Sequence, residues 1–291
     1  MTNWIAKLFE GGKTTEELAK QLGLATESLK EWELGKPERY GYTTFEIPKR
    51  NKRGYRQIEA PDSELKKLQR GVHQKFLRYL QPHPACLGFR YRKSIVDNAK
   101  NHTGKAVVIN LDLKDFFPSI NQTKIKKYFR KIGWGKTVAR ILTNICTSNA
   151  RLPQGAPTSP ALSNLVNYKM DQRMTRLALK YEGSYSRYAD DLTFSFKVFG
   201  RKQRVVLKKI AAIIKDEGFE IQKKKKVRIQ RQHQKQTVTG LVVNKKVNLD
   251  RKLRRIIRAM EFQKRNGELA KNKINRLLGY QSLAQMVDKQ R

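Results

Sequence analysis

The sequence is poor in residues and segments that several classes of protein require. It has 2 cysteines in 291 residues, which excludes a scaffold held by several disulfides and favours reduced thiols. None of its 4 histidines stands at zinc-ligand spacing from a cysteine, so a bound metal should have oxygen ligands. No run of 18 apolar residues occurs, and the first residues lack a long apolar core. We therefore expect a cytoplasmic protein without a transmembrane helix or secretory signal.

Acidic residues are scarce as well. The chain has 25 Asp and Glu against 63 Lys and Arg, which gives a formal net charge of +38. Such an excess repels itself in a compact fold unless a polyanion shares the surface, so the expected partner is a nucleic acid. A membrane partner is not expected, because the basic residues are spread along the chain rather than gathered in one patch.

Residues 14–34 are predicted to form two short helices. Thr14 and Glu17 make a capping-box pattern at the first start. The pair could be a helix-turn-helix that reads DNA. However, the second helix, 26–34, carries three glutamates against one lysine, whereas a reading helix should be basic. We favour a helical N-terminal lobe over residues 1–42.

Strand patterns place three carboxylates at strand ends. Residues 106–113 read as a strand whose more polar face ends in Asp112, and residues 184–196 as a hairpin with Asp190 and Asp191 at its tip. Adjacent carboxylates repel each other, and a purely structural turn more often uses Asn-Gly or Asp-Gly. Three such carboxylates could hold Mg²⁺ and leave positions open for water and phosphate oxygens. Two ions of this kind can activate a 3′-hydroxyl and stabilise a leaving pyrophosphate.

The C-terminal stretch, 251–286, is predicted to be helical and strongly basic, with short strands expected earlier at 218–222 and 236–243. Residues 245–291 hold 14 basic and 4 acidic side chains. In each of two helices an apolar stripe should face inward and basic side chains outward. The inward positions are Leu253, Ile256, Ile257 and Met260 in the first helix, and Ile274, Leu277 and Leu278 in the second.

Four motifs of this chain resemble those of reverse transcriptases. Y-A-D-D at 188–191 resembles the signature tip of that family, and L-D-L-K-D-F-F-P-S-I at 111–120 resembles its first carboxylate motif. L-P-Q-G-A-P-T-S-P at 152–160 resembles its nucleotide loop, and G-F-E-I-Q-K-K-K-K at 218–226 its strand-and-lysine motif. The motifs follow the family order, and the resemblance covers roughly residues 40–245.

Two further patches resemble the retron branch of the reverse transcriptases. One fits the pattern N-A-x-x-H and the other fits V-T-G. Their chemistry does not follow from the sequence: the histidine could be a satisfied structural residue, and V-T-G could be a strand that ends in a turn. The residues are Asn98, Ala99 and His102 for the first patch, and Val238, Thr239 and Gly240 for the second.

The resemblance implies an α+β fold of the right-hand polymerase type. After the N-terminal lobe, residues 43–105 would form the fingers and 106–243 the palm. Helices near 121–150 would associate with the fingers. Residues 244–291 would form a basic helical thumb.

The resemblance also implies the catalytic groups. Asp112, Asp190 and Asp191 would bind two Mg²⁺ ions, with the backbone carbonyl of Leu113 as a further ligand. Lys225 would protonate the leaving pyrophosphate. Glutamine and lysine replace the family's Asn and Thr beside it, so another lysine of 223–226 could act instead.

Further residues are implied at the incoming nucleotide. Guanidinium groups would clamp the triphosphate, an aromatic ring would abut the sugar and exclude ribonucleotides, and a glycine would let the backbone approach closely. The alternatives are a solvated basic turn, an ordinary core phenylalanine and a plain Pro-Gly loop. The residues are Arg53, Arg56, Phe117, Gln154, Gly155 and Tyr188.

The implied function is RNA-templated DNA synthesis from deoxynucleotides. A retron enzyme would bind its own structured noncoding RNA and prime from the 2′-hydroxyl of an internal guanosine. The product would be a branched RNA–DNA hybrid, msDNA. Such bacterial systems resemble antiphage defence modules with a separate effector protein. Arg254, Arg255 and Arg258 would grip the RNA, with a generic electrostatic thumb as the alternative.

Two other functions remain open. A group II intron-like or stand-alone reverse transcriptase would use a 3′-hydroxyl primer. A pseudopolymerase would bind RNA without catalysis, although the intact set of three aspartates argues against it. A DNA-binding regulator is disfavoured by the acidic helix at 26–34.

Overall fold

The structure is a computed structural model, and its described residues group into two compact units. One unit comprises residues up to 83 together with 114–170 and 217–219, and the other comprises 84–113, 171–216 and 220–291. The fingers, palm and thumb boundaries divide the chain differently and stay a prediction. The residues described are 14–49, 54–198, 200, 203–222 and 227–290.

Eleven α-helices are present in these ranges, and no helix among them is both long and apolar enough to cross a membrane. A 3₁₀ turn follows α3 at Leu77–Tyr79. The helices are α1 (Thr15–Leu22), α2 (Thr26–Leu34), α3 (Ser63–Lys75), α4 (Ile95–Lys100), α5 (Gln122–Lys131), α6 (Lys136–Cys146), α7 (Ser159–Val166), α8 (Tyr168–Lys180), α9 (Gln203–Asp216), α10 (Arg251–Arg265) and α11 (Lys271–Lys289).

The same ranges contain eight strands in three sheets. Two of the sheets are antiparallel pairs, β1 with β2 and β7 with β8, and the third has four strands. The strands are β1 (Tyr42–Pro48), β2 (Tyr55–Pro61), β3 (Val107–Asp112), β4 (Gly183–Tyr188), β5 (Asp191–Phe196), β6 (Arg228–Arg231), β7 (Thr237–Val238) and β8 (Leu241–Val242).

Helix starts follow side chains that cap the first backbone N–H groups. The capping box of Thr14 and Glu17 forms at α1 as predicted. Ser94 caps α4, Asn121 caps α5 and Asp250 caps α10, each by accepting a hydrogen bond from the first turn. Local sequence thus determines where these helices begin.

The first unit is mainly helical and also contains the β1–β2 hairpin. Trp32 and Trp134 are at most 2% exposed and belong to its core. The Asn144 side chain donates to the Trp32 carbonyl (2.7 Å), and Glu33 pairs with Arg140. Helix α2 therefore packs against α6 with its buried face and uses an acidic residue for an ion pair there, which is unlike a DNA-reading helix.

The second unit is built on the four-stranded antiparallel sheet, with strand order β4-β5-β3-β6. Five of the six β3 residues are buried, so both faces of this strand are covered. The strand and hairpin predicted at 106–113 and 184–196 are confirmed. The strand predicted at 218–222 is wrong, because that segment makes only an isolated bridge between Ile221 and Leu113. The strand that pairs with β3 on the side away from β5 is β6.

Helices α10 and α11 close the second unit at its C-terminal end. Ile257, Met260 and Leu277 are buried, as the apolar stripes predicted. The inward assignment of Leu278 is wrong, since it is 48% exposed. The buried residues of α11 are Leu277 and Val287, and Tyr280 and Ala284 pack against the same cluster. Leu278 points about 100° away from Leu277 around the helix axis.

Candidate active site

The Y-A-D-D segment forms the turn of the β4–β5 hairpin. Tyr188 pairs with Asp191, so Ala189 and Asp190 are the two turn residues. Ala189 has φ of 58°, in the left-handed region that a two-residue hairpin turn requires. Asp190 therefore lies in the turn and Asp191 begins β5.

Asp112 lies directly opposite this turn. Strands β3 and β5 pair so that Asp112 is the register partner of Asp191. The Leu113 N–H donates to the Asp190 carbonyl at 2.9 Å and holds the next residue against the turn. Side chains of directly opposed residues in an antiparallel pair lie about 5 Å apart. The structure thus brings the three predicted carboxylates to one edge of the sheet.

The electrostatics of this edge favour a cation. Asp191 is partly buried, and burial together with the charge of Asp190 raises the pKa of Asp191 to about 7, against the opposing effect of Arg228. A group of carboxylate and carbonyl oxygens is the donor set that Mg²⁺ prefers. Across the described ranges, however, no three His, Cys, Asp or Glu side chains are gathered closely enough to hold an ion.

A buried ion pair that the sequence did not reveal supports the hairpin. Arg187 and Asp171 are both fully buried and bonded through two nitrogens, Nε at 2.8 Å and a terminal nitrogen at 2.7 Å. Tyr185 also donates to Asp171, and Arg187 donates to the Ala189 carbonyl at 3.2 Å. Burial alone would lower the pKa of Arg187, but the Asp171 charge outweighs it and raises that pKa. The available signal was a single charged residue inside the predicted hairpin strand G-S-Y-S-R-Y.

A neighbouring segment also packs on the turn. Leu87 donates to the Arg187 carbonyl and Arg187 donates to the Ala85 carbonyl, both at 2.8 Å. Gly88 follows, and a Cβ atom there would lie 2.6 Å from the Ala189 nitrogen. Only glycine allows the two backbones to come this close.

The residues predicted at the nucleotide lie in both units. In the first unit, Phe117 is partly buried with its ring 5.3 Å from that of buried Phe116, and Arg56 is exposed on β2. Gly155 has φ of 141°, and a Cβ atom at this position would lie 2.6 Å from the Glu59 carbonyl oxygen. The Gln154 carbonyl accepts a hydrogen bond from the Glu59 N–H. The structure therefore accounts for a glycine at position 155 by its close approach to β2, which leaves no room for a side chain.

Two predicted residues, Arg53 and Lys225, lie outside the described residues. The segment before the lysine run is described, however. Gln222 donates to the Asp112 carbonyl at 2.8 Å, so residue 222 lies beside the first carboxylate strand. Tyr188, predicted at the nucleotide, ends β4 beside Asp191.

The two retron patches meet at α4. Asn98 and Ala99 are helix residues, and His102 follows the helix end, all three fully or almost fully buried. Val238 is buried and ends β7, and the turn formed by Thr239 and Gly240 leads into β8. The Thr239 hydroxyl donates to the carbonyl of Ile95 in α4 at 3.1 Å. The sequence alone leaves the roles of both patches open.

The three arginines predicted to grip RNA are exposed along α10. Arg254 and Arg258 line a cavity of about 430 Å³ whose other walls include Ile257 and Val287. The cavity thus combines apolar walls with two guanidinium groups, the Asn248 amide and the Asp288 carboxylate.

Comparison with known proteins agrees with this geometry. The family model described as "Reverse transcriptase (RNA-dependent DNA polymerase)" matches residues 47–273. The chain is 38% identical over 277 residues to the Retron Mx65 reverse transcriptase of Myxococcus xanthus, which covers 88% of this chain and 64% of that protein. It is 36% identical to the Retron Mx162 reverse transcriptase of the same organism over 79% of this chain and 53% of that protein. It is also 36% identical to the Retron Ec86 reverse transcriptase of Escherichia coli, over 84% of this chain and 75% of that protein.

Among solved structures, an apo telomerase from Candida tropicalis, truncated from its C-terminal domain, superposes with a TM-score of 0.52. The sequences are 16% identical, and the match covers 74% of this chain and 56% of the telomerase. This likeness confirms the α+β polymerase fold. The chain spans roughly half to two thirds of the length of the two Myxococcus proteins. With the family model spanning most of its length and the Escherichia coli relative matched over three quarters of that protein, the chain belongs to the reverse transcriptase family and, within it, to the retron reverse transcriptases.

Proposed function

We propose that this chain is an RNA-directed DNA polymerase of the retron type. The observation that carries the proposal is the register of β3 and β5, which sets Asp112 opposite Asp191 beside the Asp190 turn. Members of the reverse transcriptase family use divalent metal ions, and the oxygen donors at this edge suit Mg²⁺. Asp112, Asp190 and Asp191, with the Leu113 carbonyl, would hold two such ions.

The chain's own residues would then position the reactants. When bound there, two Mg²⁺ ions would supply Lewis-acid chemistry that favours loss of the proton of an attacking hydroxyl and offsets the charge of a leaving pyrophosphate. Asp191, whose pKa is raised to about 7, would be held in its charged form by a neighbouring cation. Arg53 and Arg56 would contact the triphosphate, with Gln154, Gly155 and Tyr188 at the nucleotide. Phe117 would abut the sugar, and a lysine of 223–226, Lys225 by the family pattern, would donate a proton to pyrophosphate.

The basic helix α10 supports recognition of a structured RNA. Arg254, Arg255 and Arg258 are exposed on it, whereas Ile257 and Met260 face the core. Guanidinium groups bind phosphates and stack on unpaired bases, which is how proteins read RNA loops. The cavity beside Arg254 and Arg258 has a volume of about 430 Å³, which is enough for one unpaired nucleotide base.

The retron membership suggests the product and the partners. The RNA would be the enzyme's own noncoding transcript, and the primer would be the 2′-hydroxyl of an internal guanosine in it. The product would be branched msDNA. We place the protein in the bacterial cytoplasm, within an antiphage defence system that includes a separate effector protein.

The catalytic assignment is tested by changing the hairpin carboxylates. Asp190→Asn and Asp191→Asn should each lower dNTP incorporation on an annealed RNA template and DNA primer by at least about a thousandfold, or about 4 kcal/mol of barrier. RNA binding should largely survive, because the hairpin tip is a small part of a basic surface. The control is Asp216→Asn, which removes an exposed carboxylate paired with Arg173. Near wild-type synthesis by the Asp190 and Asp191 variants would contradict the proposal.

The retron assignment is tested on nucleic acid that copurifies with the protein. DNA joined through the 2′ position of an internal guanosine would support it. Linear DNA that extends a 3′-hydroxyl would instead show the group II intron-like or stand-alone mode of priming. RNA without any DNA would favour a binding protein without catalysis.

A further inference from the structure

Helix α4 and His102, the second residue after it, make a buried contact with the carboxylate hairpin. His102 donates its backbone N–H to the Ala99 carbonyl (3.0 Å), which ties it to the last turn of the helix. Asn98 and His102 are at most 1% exposed, and so are Ser186 of β4 and Ser195 of β5. Polar groups buried this deeply are costly unless they are hydrogen-bonded. Within this cluster of described residues, Asn98 Nδ2 is the atom without a hydrogen-bond partner.

The four side chains form one continuous chain of hydrogen bonds. Ser186 Oγ donates to Asn98 Oδ1 at 2.6 Å. The Nε2 atom of His102 lies 2.7 Å from Ser186 Oγ, and Nδ1 lies 2.7 Å from Ser195 Oγ. Because the Ser186 hydrogen is used toward Asn98, Nε2 must donate to Ser186 and Nδ1 must accept from Ser195.

Burial keeps the His102 ring in this form. It lowers the pKa of His102 to about 3, with a further lowering effect of Lys105. The ring is therefore neutral at any pH at which the enzyme would work, with one donor and one acceptor nitrogen. The ring is fully buried, and the bonds to the two serines are what it provides.

The two serines belong to the two arms of the hairpin. The register pairs Ser186 with Thr193 and Ser195 with Ser184, so the histidine bonds to diagonal positions across the pair. Since side chains alternate along a strand, Ser195 lies on the same face of β5 as Asp191. A ring bonded to both arms limits how far one strand can slide or twist against the other. Such movements would displace the turn that carries Asp190 and the start of β5.

The V-T-G patch holds α4 from another direction. The Thr239 hydroxyl bonds to the carbonyl of Ile95 at 3.1 Å, at the first residue of the helix. Thr239 and Gly240 both have positive φ, 46° and 85°, which fixes the turn that presents this hydroxyl. Val238 packs in the same buried cluster as Val96 and Ala99 of α4.

We propose that His102 is a positioning residue for the carboxylate hairpin, and that the N-A-x-x-H and V-T-G patches form one support for it. The Asn98–His102 chain would set the two hairpin arms, and Thr239 would fix the helix from which that chain extends. This inference rests on the proposed catalytic role of Asp190 and Asp191. It assigns no chemical step to His102.

The first test replaces the ring. His102→Phe keeps a planar ring of somewhat larger size and removes both hydrogen bonds, so kcat for dNTP addition should fall at least about tenfold, because small displacements of reacting groups are costly. The KM for dNTP and for primer-template should change by less than about threefold, because neither substrate contacts a fully buried residue. Half-saturation by Mg²⁺ should move to higher concentration.

Conservative variants separate positioning from mere stability. His102→Asn can reproduce the bond near Nδ1 and His102→Gln the bond near Nε2, so each should recover part of the lost kcat. Gln236→Leu is the matched control. It removes a buried amide that bonds to the backbone carbonyls of Lys105 and Gln230, and should lower Tm while leaving kcat per folded molecule within about twofold.

The decisive outcome is the relation between kcat and stability. If His102→Phe lowers Tm as Gln236→Leu does but keeps kcat per folded molecule, the positioning role is wrong. Should that variant not fold, Ser186→Ala removes the bonds to both Asn98 and His102, and Ser195→Ala removes the bond to His102 alone. Each of these variants must then lower kcat. Activity of the Asp190 and Asp191 variants would instead overturn the proposed function, so the two failures are distinguishable.

The role of the V-T-G patch is tested by two substitutions of Thr239. Thr239→Val removes the hydroxyl and keeps the branched shape, so kcat should fall, while Thr239→Ser should restore it. If both patches act through α4, the double variant Thr239→Val with Ser186→Ala should lower kcat by a smaller factor than the product of the two single-variant factors. Equal kcat for Thr239→Val and wild type, or effects that multiply fully, would contradict a single support.

Discussion

At the residue scale, Asp191 combines a structural cost with a proposed function. Burial and Asp190 raise the pKa of Asp191 to about 7, compared with about 3.9 in an unfolded chain. Because the folded-state pKa is the higher one, the stability due to protonation is present below about pH 4. It is lost as the pH rises toward 7, by about 1.4 kcal/mol for each pH unit in that window. A bound cation would offset this loss.

We therefore predict a pH-dependent stability that Mg²⁺ removes. Without metal, the free energy of unfolding of the wild-type protein should fall between about pH 4 and 7 relative to Asp191→Asn, whose side chain does not titrate. Millimolar Mg²⁺ should stabilise the wild type most above pH 7, because the ion must displace a proton below it. Urea unfolding at pH 5, 6, 7 and 8, with and without Mg²⁺, measures both effects. Parallel pH profiles for the two proteins would contradict the raised pKa.

Residues of the candidate site differ in how well the sequence predicts them. The alternation of residues 106–113 and the Y-A-D-D turn are sufficient to place three aspartates at strand ends, because strand periodicity and turn position are local properties. The partnership of Arg187 with Asp171, or of His102 with two serines, depends on which elements pack together. No local pattern encodes those pairings.

At the element scale, the β4–β5 turn is held by backbone contacts as well as by side chains. Gly88 lies against the turn with no room for a Cβ atom, since its nearest neighbours would be the Ala189 nitrogen and backbone atoms of Tyr188. Backbone cannot rotate away as a flexible side chain can. A substitution at Gly88 must therefore move either its own segment or the turn with Asp190.

Gly88→Ala should for that reason lower both stability and synthesis. We expect a loss of about 1–3 kcal/mol in the free energy of unfolding, the usual cost of an overpacked site, and a lower kcat. Gly279→Ala is the control, because a Cβ there meets no atom within 4 Å and alanine favours a helix by about 1 kcal/mol. Thermal unfolding and primer extension report the two quantities. A Gly88→Ala protein with unchanged Tm and kcat would show that the contact is not tight.

At the scale of the whole molecule, the order of the motifs was sufficient to predict the fold class, and the composition was sufficient to predict a polyanionic partner. What the sequence could not predict was the grouping of distant segments. Residues 84–113 join 171–216 in the second unit, whereas 114–170 join the N-terminal segment in the first. Strand β6 pairs with β3 although about 115 residues separate them. Long-range pairing of this kind depends on the whole chain and leaves no periodic signal in either strand.

With a net charge of +38 over the whole chain, the arginines of α10 could either recognise one RNA structure or only add to a generally positive surface. We predict specificity. Changing Arg254, Arg255 and Arg258 to Gln should abolish branched product from the cognate RNA and spare much of the extension on an annealed primer-template, because branched synthesis needs one RNA structure to be recognised.

The control changes Arg204, Lys208 and Lys209 to Gln. These residues are exposed on α9, and the variant removes the same three positive charges. Both triple variants should weaken general RNA binding and reduce its salt dependence alike, since counterion release follows the number of phosphate contacts. All assays therefore share one salt concentration. If the α10 and α9 variants lower branched synthesis and primer extension by the same factor, the α10 arginines act only through charge, and the RNA is recognised elsewhere.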